Sequence, residues 1–264
     1  MKIIISPAKK MNVDLDTAPC IGLPVYIDKA QSLMEYMKTQ DLEQCQKIWK
    51  CSRKLAEVNY SRFQKMKLRE ALTPAVLSYE GIQYQHLAPK IMEDTELAYL
   101  QTHLRILSGF YGILKPFDGI VPYRLEMQAK LGGKNLDSLY EYWGSSLAEH
   151  MFLEDSLILN LASKEYSKCI SSYIKGRTNI RFITCVFGER LRGKIIEKGT
   201  PAKMARGEMV RYLAGQQAED LEMVKKFQGL CYRFSEEDSD EKTLIFLKSG
   251  AGTKAPDQGE EHDK

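Results

Sequence analysis

The chain has 264 residues, 44% of them hydrophobic and 28% charged, with a formal net charge of +3. That length supports a sizeable core, and the composition excludes a collagenous or wholly disordered chain. A total of +3 identifies no partner by its size; the distribution of the charge carries the information.

The run Lys2-Ile3-Ile4-Ile5 is stopped by Ser6-Pro7 and predicts a buried strand. Asp28 is placed to cap a helix over residues 28–38, with Ala30, Leu33, Met34 and Met37 on one face. Asp41 is placed to cap a second helix carrying Leu42, Cys45, Ile48 and Trp49. A third helix is expected from Ser52, with Leu55, Val58, Arg62 and Met66 on its face. Residues 75–79 read as a strand ending at Glu80-Gly81. A helix from Asp94 carries Leu97, Leu100 and Leu104, and residues 105–107 then turn extended.

In the second half, Asp137 is expected to cap one helix carrying Leu139, Tyr142, Trp143, Leu147 and Met151. Residues 157–161 (Leu-Ile-Leu-Asn-Leu) predict the best buried strand, with Ser163 at the N-cap of a following helix. A strand at 181–187 precedes a helix opened by Thr200-Pro201 and running to 213. A short helix over 219–227 and a strand pair at 231–234 and 243–247 follow. Residues 249–264 lack large apolar side chains and are expected to form a disordered tail. No Gly-, Ser- or Pro-rich linker divides the elements, so one mixed α/β domain over 1–248 is the simplest reading.

No apolar run approaches the roughly 20 residues of a membrane span, and the N-terminus is too short in apolar residues for a signal peptide. A cytoplasmic location without membrane contact is therefore expected. The six cysteines form no CxxC pair and are expected as free thiols. Four scattered histidines lack metal-ligand spacing, so neither a metal site nor direct iron sequestration is expected.

Charge is segregated. Residues 47–69 carry +7, residues 168–211 carry +8, and residues 219–264 carry −5. Two basic blocks on one face would neutralise several phosphates of a nucleic acid. Ser6-Pro7-Ala8-Lys9 directly follows the first strand, where ligands of open α/β sheets gather. It reads as an anion contact or as a simple turn. Asn160-Leu161-Ala162-Ser163-Lys164-Glu165-Tyr166 repeats the layout, with Ser163 open to the same two readings. In an extended 122–127 segment, Arg124 and Glu126 project from one face, to bind a polar substrate or each other. The glycines of Leu107-Ser108-Gly109-Phe110-Tyr111-Gly112 permit a close backbone approach; the segment is not a phosphate loop. Neither GxSxG nor a nucleophile with an evident His partner is present.

These motifs together, with His103-Leu104-Arg105-Ile106 and Tyr142-Trp143-Gly144, resemble the YaaA peroxide-stress protein family over residues 1–248. The resemblance implies a cytosolic protein of the hydrogen-peroxide response that limits damage from unincorporated iron. It also implies an unusual single-domain α/β fold with a positively charged cleft, a helix-hairpin-helix that binds DNA, and no cofactor. The hairpin is expected at residues 55–63, where Glu57 stands in place of a favoured glycine. The DNA contacts expected are Arg53, Lys54, Asn59, Arg62 and Lys65 in the first block. In the second they are Arg190, Arg192, Lys194, Lys203 and Arg206. The alternative is an enzyme or binder of an anionic, nucleotide-like molecule. Ser6, Lys9, Arg124, Asn160 and Ser163 would then bind, with Glu126 or Glu165 as acid or base.

Overall fold

A computed structural model describes residues 1–133 and 136–249. Lys2–Ile5 forms β1, and its three isoleucines have no exposed surface. A parallel strand is covered on both faces, which is why this run is apolar without alternation. The chain continues through α1 (Ile27–Thr39), α2 (Leu42–Trp49), α3 (Arg53–Lys65), α4 (Ala75–Ser78), α5 (Ile82–Leu87) and α6 (Asp94–His103). It returns as β2 (Leu104–Ser108), parallel to β1, and β3 (Gly112–Leu114) folds back antiparallel. After α7 (Leu139–Trp143) and α8 (Ser146–Glu154), β4 (Leu157–Asn160) pairs with the other side of β1. Then α9 (Lys164–Ser171) leads to β5 (Arg181–Leu191) and its antiparallel partner β6 (Lys194–Ile196). Finally α10 (Gly199–Gly215) and α11 (Leu221–Lys225) precede the hairpin β7 (Tyr232–Ser235) and β8 (Thr243–Lys248).

The sheet has eight strands in the order β7-β8-β5-β4-β1-β2-β3, with β6 attached to β5. From β8 to β2 neighbouring strands are parallel. From β1 the chain moves to β2 on one side, and from β4 to β5 on the other. The path therefore diverges between two adjacent parallel strands, and a crevice opens outside their carboxyl ends. Helices and sheet share one hydrophobic core, so the described residues form a single mixed α/β domain. No helix among them is long and apolar enough to cross a membrane.

Several elements differ from the sequence expectation. Residues 75–78 are helical, because Ala75 and Val76 donate their N–H groups to Asp118 and Pro116 carbonyls instead of a strand partner. Gly144, with φ +52°, splits the expected single helix into α7 and α8, and Ser138 rather than Asp137 caps the first. Asp28 lies inside α1, whose N-cap is Tyr26. The face that α3 buries is Ala56, Asn59 and Phe63; Leu55 and Val58 are exposed. Residues 55–63 are continuous helix, so the expected hairpin is not there. The turn falls at 50–52, where Lys50 adopts φ +45° and closes α2. Glu57 is an exposed helical residue paired with Arg53 at 3.1 Å. The expected tail lies outside the described residues from position 250 onward.

Two backbone contacts position the site. A Cβ on Gly109 would stand 2.5 Å from the Leu125 carbonyl oxygen, so only glycine lets segment 125–127 lie on the β2–β3 turn. A Cβ on Gly207 of α10 would stand 2.1 Å from the Gln83 carbonyl oxygen of α5. Gly109→Ala and Gly207→Ala are each expected to cost about 1–3 kcal/mol, the usual range for overpacking. A lower urea midpoint at unchanged slope is the readout, and an unchanged midpoint would show that these contacts yield.

Within the core, buried Arg105 of β2 grips Glu154 of α8 through two bonds, Nε–Oε2 at 2.7 Å and Nη2–Oε1 at 2.9 Å. Burial alone would raise the Glu154 pKa. Hydrogen bonds from His150 and Arg105 outweigh it and hold the carboxyl at about 2, against 4.5 when unperturbed. Because the folded pKa lies below the unfolded one, this stabilisation is present above pH 4.5 and is lost as pH falls toward 2. Its size is on the order of 3 kcal/mol. The stability gap between wild type and Glu154→Gln should thus be widest above pH 5 and shrink on acidification. A gap independent of pH would refute the ion pair.

Candidate functional site

The carboxyl ends of β1 and β4 are tied directly. Ser6 follows β1, and its Oγ accepts the Ser163 N–H at 2.9 Å and lies 3.2 Å from the Ser163 Oγ. Ser163 occupies the N-cap of α9, but its side chain makes no cap bond and is turned to Ser6 instead. Tyr84 of α5 donates its hydroxyl to the Ser6 carbonyl at 3.0 Å and closes the third side.

Above this junction lies a cavity of about 390 Å³. Ser6, Lys9, Arg124, Glu126, Ser163 and Glu165 all line it. Three separated segments therefore converge on one space. Asn160 is the exception. It is buried beneath the site, donating to Thr184 Oγ1 at 3.1 Å and accepting the Ala162 N–H at 2.9 Å. Its work is to shape the turn after β4. Lys203 and Arg206 of α10, expected as nucleic-acid contacts, also line the cavity.

The remaining basic residues do not line it. Arg190 and Lys194 lie on the β5–β6 hairpin and Arg192 in its turn, and Arg190 is paired with Glu237 at 3.2 Å and Asp238 at 2.5 Å. Arg53, Lys54, Arg62 and Lys65 are exposed on α3. Asn59 is buried and donates to the Leu55 carbonyl of its own helix at 2.8 Å. The 50–52 turn before α3 carries Cys51, whose thiol pKa is raised by burial. Lys47, Lys50 and Arg53 surround that turn.

Electrostatically the cavity is mixed with an excess of cations. Lys9, Lys10, Arg124, Lys203 and Arg206 face Glu80, Glu126 and Glu165. Lys10 is satisfied by Glu80 at 2.7 Å. Glu126, 13% exposed, sits between Lys9 Nζ at 3.4 Å and Arg124 Nη2 at 3.3 Å. Neither contact has hydrogen-bond geometry, so Glu126 Oε1 is buried without a partner. Arg124 and Arg206, each 12% exposed, have buried Nε groups without partners, although Arg206 Nη2 holds Glu197 at 3.0 Å. Glu165 takes the Gln128 N–H on Oε1 at 3.3 Å. Burial raises its pKa, and the neighbouring Glu126 charge adds to the shift.

Sequence reasoning missed Gln83. It is buried, lines the cavity, and has an Nε2 without a partner. No local pattern marks it, because only the packing of α5 on α10 brings it there. It also missed the tyrosine floor. Tyr123 stands between Tyr79 and Ser108, with hydroxyl distances of 2.8 and 2.7 Å. Burial pushes the Tyr123 hydroxyl up to about 12, so it is a neutral donor or acceptor at physiological pH. Among the described residues no three His, Cys, Asp or Glu side chains are grouped to hold a metal ion.

A family profile described as "Peroxide stress protein YaaA" matches residues 1–238. A UPF0246 protein of Lachnoclostridium phytofermentans is 52% identical over 248 residues, covering 94% of this chain and 96% of that protein. One from Desulfitobacterium hafniense is 49% identical over 251 residues, covering 95% and 99%. One from Pediococcus pentosaceus is 46% identical over 249 residues, covering 94% and 98%. With relatives of nearly its own length at about half identity and a profile over most of its residues, this chain belongs to the YaaA peroxide stress protein family, also called UPF0246.

Proposed function

We propose that the protein serves the peroxide response by binding a phosphate-bearing, nucleotide-like molecule in the cavity at the ends of β1 and β4. One observation carries this reading: Arg124 Nε, Arg206 Nε and Gln83 Nε2 are buried donors without partners, and all three residues line that cavity. An unpaired buried donor costs about 1–3 kcal/mol, and three around one space are relieved together by a ligand rich in acceptors. Phosphate offers those acceptors, and the cationic excess favours its charge. The volume lies in the range of small-ligand pockets.

In a thermal-shift series, inorganic phosphate and nucleoside 5′-monophosphates should raise Tm. Saturation at a hundred times Kd corresponds to about 2.7 kcal/mol, or several degrees for a chain of this size. Arg124→Ala and Arg206→Ala should each remove most of the shift. No shift with any of these probes would overturn the reading.

DNA binding is the second reading, supported by a separate observation. The exposed Lys47, Lys50, Arg53, Lys54, Arg62 and Lys65 of α2, α3 and the turn between them form a basic surface. A phosphodiester backbone would run along it without sequence preference, in the cytoplasm, and cover DNA against radicals generated by unincorporated iron. Affinity should then fall at least a hundredfold between about 50 and 200 mM salt. Replacing Arg53, Lys54 and Arg62 by Ala should weaken all sequences alike, and a salt-independent isotherm would exclude this mode.

A further inference from the structure

The cavity holds more than an anion site needs. Phosphate binding uses cations and N–H donors, yet three carboxylates line the same space; Glu80 is taken up by Lys10, which leaves Glu126 and Glu165. Each would repel a phosphate, so their presence at an anion site points to chemistry beside it. Their surroundings differ. Glu126 is flanked by Lys9 at 3.4 Å and Arg124 at 3.3 Å. Glu165 stands in the first turn of α9, half-buried, with one oxygen on the Gln128 N–H. Three tyrosines, Tyr84, Tyr123 and Tyr166, add flat apolar wall. Cations for a phosphate, tyrosines for a base, and a carboxylate pair suit the three parts of a nucleotide.

Resting on the anion-site reading, we propose that the cavity hydrolyses the N-glycosidic bond of a nucleoside monophosphate, with Glu165 as general acid and Glu126 as general base. In the step, the bond between C1′ and the base nitrogen breaks, and its electron pair leaves with the base. The base takes the Glu165 proton. A water oxygen bonds to C1′, and its released proton passes to Glu126. The products are the free base and a sugar phosphate, and proton exchange with solvent restores both carboxyls. The division of labour follows from surroundings. Glu126, held between Lys9 and Arg124, takes the water that attacks the oxocarbenium-like centre. Burial and the Glu126 charge keep a proton on Glu165 to higher pH than an ordinary glutamate.

The test incubates the full chain with the four ribonucleoside 5′-monophosphates and their 2′-deoxy counterparts, and measures free base by chromatography and sugar phosphate by reducing-end assay. Equimolar release of both is expected from at least one of them. Glu165→Gln should lower kcat at least a hundredfold while the same nucleotide still raises Tm. Glu126→Gln should do likewise. A nucleotide that raises Tm but releases no base overturns the hydrolysis and leaves the anion site standing. Release unaffected by either substitution overturns the assignment of roles. No Tm shift and no release remove the anion site and this inference together.

Discussion

The site depends on a wall that has no secondary structure of its own. Segment 122–127 carries Arg124 and Glu126, yet it has no place in any strand or helix. It is held because the Gly109 backbone offers no Cβ, so the Leu125 carbonyl and its neighbours rest directly on the β2–β3 turn. The turn is itself fixed: Trp143 Nε1 donates to the Gly109 carbonyl at 3.0 Å, and Ser108 Oγ accepts the Phe110 and Tyr111 N–H groups. Tyr123 binds the same Ser108 hydroxyl from the other side. One buried serine therefore locks both the turn and the segment that lies on it. In an irregular segment, such anchoring takes the place of a hydrogen-bonded ladder in fixing two charged side chains against a cavity.

The opposite wall is built by a similar economy. Gly207 lets α10 approach α5 at backbone distance, and that approach carries Arg206 and Gln83 to the same space. Between the walls, Ser6 and Ser163 bind each other where two parallel strands end. Backbone contacts thus set the cavity on three sides, while the charged side chains remain under-paired. Ground-state stability would favour closing Arg124 and Glu126 into a hydrogen-bonded pair. They instead meet at 3.3 Å without that geometry, and Arg124 Nε and Glu126 Oε1 stay buried without partners.

Much of the sheet was legible, because buried strands such as Lys2–Ile5 and Leu157–Asn160 are apolar runs whose length and boundaries are local properties. The cap of α2 was equally local, since Asp41 accepts the Gln44 N–H and Gln44 returns a bond to the Asp41 N–H. Where tertiary bonds chose the conformation, sequence failed. Residues 75–78 have strand propensity, but their N–H groups are taken by the 116–118 turn. The α3 face was misread because small Ala56 and polar Asn59 pack inward while Leu55 and Val58 do not. For the site, strand-end motifs located Ser6, Lys9, Ser163 and Glu165, and spacing located Arg124 and Glu126. Gln83 could not be found that way, since its partner surface is more than a hundred residues away in the chain.

The segregation of charge also changes meaning in three dimensions. The second basic block nets +8 with Glu189, Glu197 and Glu208 already counted, and its cations differ in how they are paired. Arg190 is held by Glu237 and Asp238 from the acidic end of the chain, and Lys198 by Glu189 at 2.7 Å. These exposed pairs contribute little stability, but they lower the free positive charge of the β5–β6 hairpin. Lys203 and Arg206, from the same block, line the cavity, and Arg206 keeps one unpaired donor there despite its bond to Glu197. A count along the chain treats these cations as equals. Pairing separates them: Arg190, Lys198 and Arg206 are held by carboxylates, whereas Arg192, Lys194 and Lys203 have no ion pair among the described residues. The block is therefore divided by the fold, with Lys203 facing the cavity at the carboxyl ends of β1 and β4 and Arg192 and Lys194 at the β5–β6 hairpin, so its charge does not act as one patch.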